Sequence, residues 1–507
     1  MKKIITIIFV LAVTGCSKEF LAVTNPNQIA DGNFWLNSHD AYFGINGVYQ
    51  SLANSQLYGG GLNQNAGLPM YDCLGDNGFN YWDYEGLGYF MTSNIDPSNT
   101  FFSGFWSACY AGIGRANNAI LNLSKMPVSA IDDSTKNNLI GQARFLRALN
   151  YINLAVYFQD VPLITTVQSL AESYVPKNTY QEVSAQIIQD LKYAADVLPV
   201  AYPANQSGYA TKGAALGLLA RISLYNKDYQ GVLDATNTLL TLGYSLNASY
   251  PALFTQSGEN SKEILFQVRF GTAANDNKET FSCTYSNAPK VDEQPMPNLA
   301  NDYYCTDGKP ITTSPLYKPA TPKLNRDPRC SATIYFKNDV FITDLGSIFT
   351  GTGNSTGYGL KKYINTTGTT YSATGQDFYV VRYADVLLMR AEALVELNQP
   401  SEVYTLVNQV RARVSMPTVN AVEGANLSQD ELRKVVRHER RVELAFEGLR
   451  FYDLKRWGTV QQAFQAAIAD NVPGYQIIYR NGKSQVFPIP QSELSANASL
   501  IQNPIWQ

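Results

Sequence analysis

The chain has 507 residues, 45% of them hydrophobic, and a formal net charge of −3. That apolar share is ample for a packed core and excludes a disordered chain. A near-neutral balance with no long basic run excludes a nucleic-acid binder, because phosphate recognition needs clustered Lys and Arg.

The N-terminus reads first. Met1-Lys2-Lys3 is a short basic segment, Ile4 to Val13 is an almost unbroken apolar run, and Val13-Thr14-Gly15 leads into Cys16. This is the pattern of a lipoprotein signal peptide, cut before a cysteine whose thiol is acylated. The apolar run is about half the ~20 residues that a spanning helix needs. The expectation is therefore removal of residues 1–15 and a mature chain tethered to a membrane by lipid at Cys16. An ordinary secretory signal with an incidental cysteine is the alternative. Ser17-Lys18-Glu19 resembles the short signal that sends some Gram-negative lipoproteins to the outer face of the outer membrane. The mature chain, 16–507, reads as one domain: an N-terminal helical-repeat part (about 25–242), an irregular insertion (about 243–377) and a C-terminal helical part (about 378–507). Cys73, Cys109, Cys283, Cys305 and Cys330 are scattered and lack CxxC spacing, so a disulfide is permitted but not demanded.

Helical periodicity dominates the mature chain. Residues 133–158 carry Phe145, Leu149, Ile152 and Val156 on one stripe, which predicts an amphipathic helix. Segment 211–242 divides into two helices around Asn226-Lys227-Asp228-Tyr229, and Gly213, Ala214, Ala215, Gly217 and Ala220 let a neighbouring helix approach closely. Segment 378–414 repeats this design: Tyr383 to Leu397, a turn at Asn398-Gln399-Pro400, then Ser401 to Arg413 with Ser401 as N-cap. Both pairs resemble tetratricopeptide repeats, and 39–53 with 103–124 and 133–158 with 180–197 look like degenerate versions. The predicted fold is mostly α, a tetratricopeptide-like scaffold of about four helix pairs. Residues 57–100 and 243–377 lack a sustained 3.6 period, with short strand-like runs at 264–270, 332–336 and 361–364; long insertions of this kind are usually functional and are predicted to form the ligand face. A last ordered helix spans Ser428 to Phe446, with Ser428 and Glu431 as a capping box and Gly448 as its stop. Its cluster Arg437, Glu439, Arg440, Arg441, Glu443 reads as a structural ion network, with a ligand-binding arginine cluster as the alternative.

Several stretches together resemble the SusD/RagB family of outer-membrane nutrient-binding lipoproteins. They are Phe105-Trp106 with Arg115-Ala116-Asn117; Ala143-Arg144-Phe145-Leu146-Arg147-Ala148 running to Asp160-Val161-Pro162-Leu163; and Lys212-Gly213-Ala214-Ala215 with Leu219-Ala220-Arg221. Arg326-Asp327-Pro328-Arg329, Arg382-Tyr383-Ala384-Asp385 onward to Ala393, and Glu439-Arg440-Arg441 onward to Gly448 continue the series. Asp453-Leu454-Lys455-Arg456-Trp457-Gly458, Phe487-Pro488-Ile489-Pro490 and Gln502-Asn503-Pro504 complete it. The resemblance implies a non-catalytic cell-surface protein of the outer membrane that captures oligosaccharide. It also implies delivery to a partner SusC-like, TonB-dependent β-barrel transporter. Peptide is the alternative ligand, since some relatives accept it. Calcium occurs in some relatives, but no EF-hand-type loop is present and no cofactor is called for.

Sugar recognition needs flat aromatic faces against C–H-rich rings, with polar groups for the hydroxyls. The densest such constellation runs from Asp76 to Gly86. Tyr81, Trp82 and Tyr84 would stack, while Asp76, Asn77, Asn80 and Asp83 would donate and accept. Tyr285 and Asp302-Tyr303-Tyr304 in the longer insertion form a second set, and Trp106 and Trp457 read as core. Two enzyme readings compete. Gly353-Asn354-Ser355-Thr356-Gly357 fits GxSxG as a string but lacks a strand-to-helix setting, and His39 and His438 are the only bases on offer. A helical glycoside hydrolase could use Asp76, Asp83 and Glu85 as a carboxylate pair.

Overall fold

The computed structural model describes residues 34–60, 67–203, 206–273, 276–282, 292–340, 348–364 and 375–507. Side chains encoded just ahead of each apolar stripe start most of the long helices. Asn37 caps α1 (Ser38–Gln50), Asn99 caps α2 (Thr100–Lys125) and Asp132 caps α3 (Asp133–Phe158). Thr179 caps α4 (Tyr180–Val197), Thr211 caps α5 (Lys212–Tyr225) and Asp228 caps α6 (Tyr229–Leu239). Each cap satisfies an N–H that the helix leaves without a partner, an effect of about 1 kcal/mol. Further along come α7 (Tyr383–Glu396), α8 (Val403–Arg413), α9 (Gln429–Leu444), α10 (Arg450–Trp457) and α11 (Val460–Ala469).

The helices pair as expected: α1 on α2, α3 on α4, α5 on α6 and α7 on α8. Successive pairs also pack on one another, α2 on α3, α4 on α5 and α6 on α7, so the pairs form one continuous stack. Helix α3 lies in the middle of it and is buried on nearly every face from Leu139 to Phe158, as a helix enclosed by neighbours must be. The small residues of α5 serve the close approach that they suggest. A Cβ on Gly217 would sit 2.9 Å from a Val381 methyl and 3.0 Å from a Leu265 methyl.

Those two residues belong to a sheet. The strands β1 (Gly78–Asn80), β2 (Ile264–Val268), β3 (Glu293–Pro295), β4 (Ile334–Tyr335), β5 (Gly359–Leu360) and β6 (Phe378–Arg382) form three antiparallel pairs, β1–β3, β2–β6 and β4–β5. The expected strand at 264–270 stops at Val268. Only 334–335 of the run at 332–336 is strand, because a short helix, Pro328–Thr333, claims the residues before it. The strand expected at 361–364 lies instead at 359–360.

Two helix ends also differ from expectation. Helix α8 begins after Glu402 with no side-chain cap, so Ser401 is not its N-cap. The Ser428–Glu431 capping box is present, but α9 ends at Leu444, ahead of Gly448. Gly448 serves the turn beyond instead: its φ is +72°, and a Cβ there would meet the Leu68 carbonyl oxygen at 2.4 Å.

Buried ion pairs join α9 to distant parts of the chain through Glu439, Arg440 and Glu443, as the sequence reading of a structural network anticipates, but Arg437 of the same cluster forms none among the described residues. Arg329 pairs with Asp327, Glu439 and Glu443, while Arg382 at the end of β6 pairs with Glu263, Glu443 and Glu447. Arg413 reaches Glu263 and Glu443, and Arg440 reaches Asp385 and Asp453. Burial by itself would raise the Glu443 carboxyl, but Arg413, Arg382 and Arg329 hold it far below the usual carboxylate range. Charges this deep are tolerable only because each has a partner.

Candidate functional site

The aromatic segment stands on a base fixed by the C-terminal third. In β1, Phe79 stacks on Tyr475 with ring centroids 4.7 Å apart, and the Tyr475 hydroxyl donates to the Asn80 carbonyl at 2.7 Å. Just before β1, Arg450 grips Asp76 through two contacts of 2.7 and 2.8 Å, and Arg441 lies 3.2 Å from the same carboxylate. Burial would push the Asp76 carboxyl up, but Arg441 and Arg450 outweigh it and hold it well below its ordinary value. Asn77 donates to Asp72 at 2.9 Å and accepts from Arg441 at 2.9 Å. Asp72 in turn accepts from the Phe446 and Gly448 N–H groups, clamping the turn after α9.

On this base sits the aromatic platform. Trp82 meets Tyr84 with centroids 5.3 Å apart at a 36° tilt, and Tyr81 meets Trp82 edge-on at 4.7 Å. Tyr84 is 49% exposed, Asp83 is exposed, and Tyr81, Trp82 and Glu85 are half-buried. The buried Asn80 fastens the loop from below, donating through Nδ2 to the Trp82 carbonyl at 2.7 Å and to Glu85 Oε2 at 3.0 Å. The short helix Gly86–Met91 then packs directly behind. A Cβ at Gly88 would meet the Trp82 carbonyl oxygen at 2.2 Å, so only glycine fits under the platform. The outcome is a pair of tilted rings at the surface with carboxylates beside them, an arrangement suited to a sugar ring face and its hydroxyls.

The sequence candidates therefore separate. Tyr81, Trp82, Asp83 and Tyr84 come together at the surface, with Asn80 as their support. Asp76 and Asn77 do not join them: both are buried and held by Arg450, Arg441 and Asp72. Tyr303 is likewise wholly buried, so it is a core residue. Tyr304 lies elsewhere, stacked on His438 with centroids 3.9 Å apart. Tyr285 and Cys16 lie outside the described residues. Trp106 is core as expected, but Trp457 is half-buried, its Nε1 donating to Glu392 at 2.7 Å. The sequence reading missed Tyr475, which carries no local signal so far from β1. Gly86-Leu87-Gly88, directly after the aromatic run, did carry one.

The enzyme readings find little support in this geometry. The Asp76 carboxylate is held ionised by two arginines and is ill placed to act as a general acid. Ser355 and Thr356 donate their N–H groups to Gln294 Oε1, and Gly353 and Gly357 have φ of +77° and +81°. This is a loop tied to β3, with no strand–serine–helix elbow. Among the described residues no group of three or more His, Cys, Asp or Glu side chains is arranged to hold a metal ion, and no helix is long and apolar enough to cross a membrane.

Comparison with known proteins matches this architecture. Residues 262–506 match the family model described as "SusD family", and residues 72–224 match one described as "Starch-binding associating with outer membrane". Between them these spans take in the stack helices α2 to α4, nearly all of α5, α7 and α8, and the ion pairs of α9. The chain belongs to the SusD/RagB family. A SusD-like protein P2 of Formosa agariphila is 27% identical, the match covering 99% of this chain and 98% of that one. Among solved structures, a SusD-like carbohydrate binding protein from Bacteroides fragilis shares 27% identity and a TM-score of 0.81, over 92% of this chain and 100% of the other. A laminarin binding SusD-like protein shares 26% identity and a TM-score of 0.74, over 92% and 99%. In this SusD/RagB chain the segments that carried the resemblance supply the paired interior charges: Arg329, Arg382, Asp385, Glu439, Arg440, Glu443 and Asp453. The aromatic platform lies ahead of all of them in the sequence, in a stretch with no such motif.

Proposed function

We propose that the chain is a cell-surface glycan-binding lipoprotein: residues 1–15 are removed, Cys16 is acylated, and the platform at 81–84 captures oligosaccharide. It then hands the ligand to a SusC-like, TonB-dependent transporter in the outer membrane, without catalysing any change in it. The observation that carries the reading is the Trp82–Tyr84 pair held at the surface on a SusD/RagB scaffold, with Asp83 and Glu85 beside the rings. The carbohydrate-binding and laminarin binding descriptions of two structural neighbours support sugar over peptide. An open pair of rings gives modest affinity, and loss of one costs on the order of 1–3 kcal/mol.

The test is affinity electrophoresis and calorimetry of the purified chain against laminarin, starch, their oligosaccharides and a casein digest. Retention by a glycan, lost in Trp82→Ala with unfolding unchanged, supports the platform. Retention by the peptide digest alone would replace sugar with peptide as the ligand, and release of reducing ends would make the chain an enzyme.

A further inference from the structure

A cleft of about 290 Å³ opens beside α9 and α10; Arg437, His438, Trp457 and Gln462 line it, together with Asp76 and Asp302, whose carboxylates are taken by Arg450 and Arg441. Three guanidinium groups gather round the Trp457 indole: Arg437 at 4.7 Å from the ring centre, Arg456 at 4.8 Å and Arg450 at 6.0 Å. Two of them are neutralised. Arg450 is held by Asp76, and Arg456 by Asp453 and Glu392.

Arg437 is not. Among the described residues it has no hydrogen-bond acceptor and no carboxylate within 4 Å, and its Nε lies buried with no partner. The other arginines of α9 show how unusual this is: Arg433 pairs with Glu396, Arg440 with Asp385 and Asp453, and Arg441 with Asp76 and Asp302. A half-buried guanidinium stacked on an indole but left unpaired retains its charge and its planar set of donors, which match an oxyanion in a two-point geometry. Burial lowers the Arg437 pKa, the opposite of what a carboxylate partner would do, although Glu392 and Glu396 oppose this from a distance. His438, whose Nε2 donates to the Asp302 carbonyl at 2.8 Å, forms part of the same lining, and Gln462 adds an amide for further polar contacts. The size lies at the low end for small-molecule sites and suits a single acidic group rather than a length of polymer.

We propose that this cleft is a second binding site, in which Arg437 takes the oxyanion of a small acidic ligand, a carboxylate or a sulfate. The proposal does not depend on the platform at 81–84. It is tested on the full-length chain by ligand-observed NMR titration with glucuronate, with glucose as the neutral control and inorganic sulfate as competitor. Glucuronate is expected to bind saturably and glucose not. Arg437→Gln should weaken glucuronate at least tenfold, Arg437→Lys should weaken it less, and Trp82→Ala should leave it unchanged. Competition by sulfate identifies a general oxyanion site, and binding of glucuronate without it identifies a carboxylate-sugar site. Equal binding by Arg437→Gln and the parent chain, or no saturable binding of either anion, overturns the proposal. Arg437→Gln gives up the contact with the Trp457 indole but strands no carboxylate, so only a small fall in its unfolding midpoint is expected, which separates lost binding from lost structure.

Discussion

Replacing Asp76 with alanine separates two roles that the sequence alone could not. As a ligand contact, Asp76 would affect binding and leave stability nearly untouched. As the buried anchor seen here, it neutralises Arg450 through contacts of 2.7 and 2.8 Å and shares Arg441 with Asp302. Removing one member of a buried pair strands the other charge and costs about 3–5 kcal/mol. Arg441 keeps Asp302 and Asn77, so the loss falls mainly on Arg450 and the lower figure, about 3 kcal/mol, is expected. Urea denaturation followed by circular dichroism measures it as a fall in midpoint. The double variant Asp76→Ala, Arg450→Met should recover much of the loss, because it removes the stranded charge as well. Affinity for laminarin, or for whichever tested glycan is retained, should change less than about threefold in both variants, since the platform is fastened by Asn80 and Phe79. An Asp76→Ala chain with an unchanged midpoint and abolished glycan binding would refute the anchoring argument.

Two further outcomes are expected. Asn80→Ala removes the donor to the Trp82 carbonyl and to Glu85, so it should weaken glycan binding severalfold by calorimetry while the helical circular dichroism stays unchanged. Asp377 is buried, and this, with Glu259 adding to it, pushes its carboxyl up to about 7. A carboxyl raised in the folded state contributes stability that is full below about pH 4 and lost as pH rises through 7. Asp377→Asn should therefore gain on the parent by on the order of 2–3 kcal/mol between pH 5 and pH 8, measured as the difference in urea midpoints; parallel pH profiles would contradict the assignment.

The helical scaffold was legible in the sequence because its signals are local. Asn226-Lys227-Asp228 between apolar stripes, Asn398-Gln399-Pro400 after Leu397, and the Ser428–Glu431 box each mark a helix end within a few residues. The site was only half legible. Tyr81, Trp82 and Tyr84 announce themselves as rings, but nothing near Asp76 or Asn77 says that Arg441 and Arg450 will claim them. A carboxylate that binds a hydroxyl and one that anchors an arginine look alike until the partner is known, and here the partner lies more than 300 residues away. Tyr303 misled for a related reason: tyrosine serves equally well in a core or on a surface, and only the packing of its insertion decides. The capping role of Ser401 failed because α8 starts one position later than that serine could cap.

The clamp of Asp72 on Phe446 and Gly448, and of Asp76 on Arg450, has a consequence for how the chain matures. The ring-bearing loop near residue 80 acquires its rigid footing only when the C-terminal part of the chain arrives to supply it. During synthesis, then, the first three helix pairs can assemble from the front, yet the footing of this loop stays unfinished until the C-terminal part has been made. Such late closure means that a prematurely terminated product would carry the rings of Tyr81, Trp82 and Tyr84 on a loose hinge, exposed to proteases.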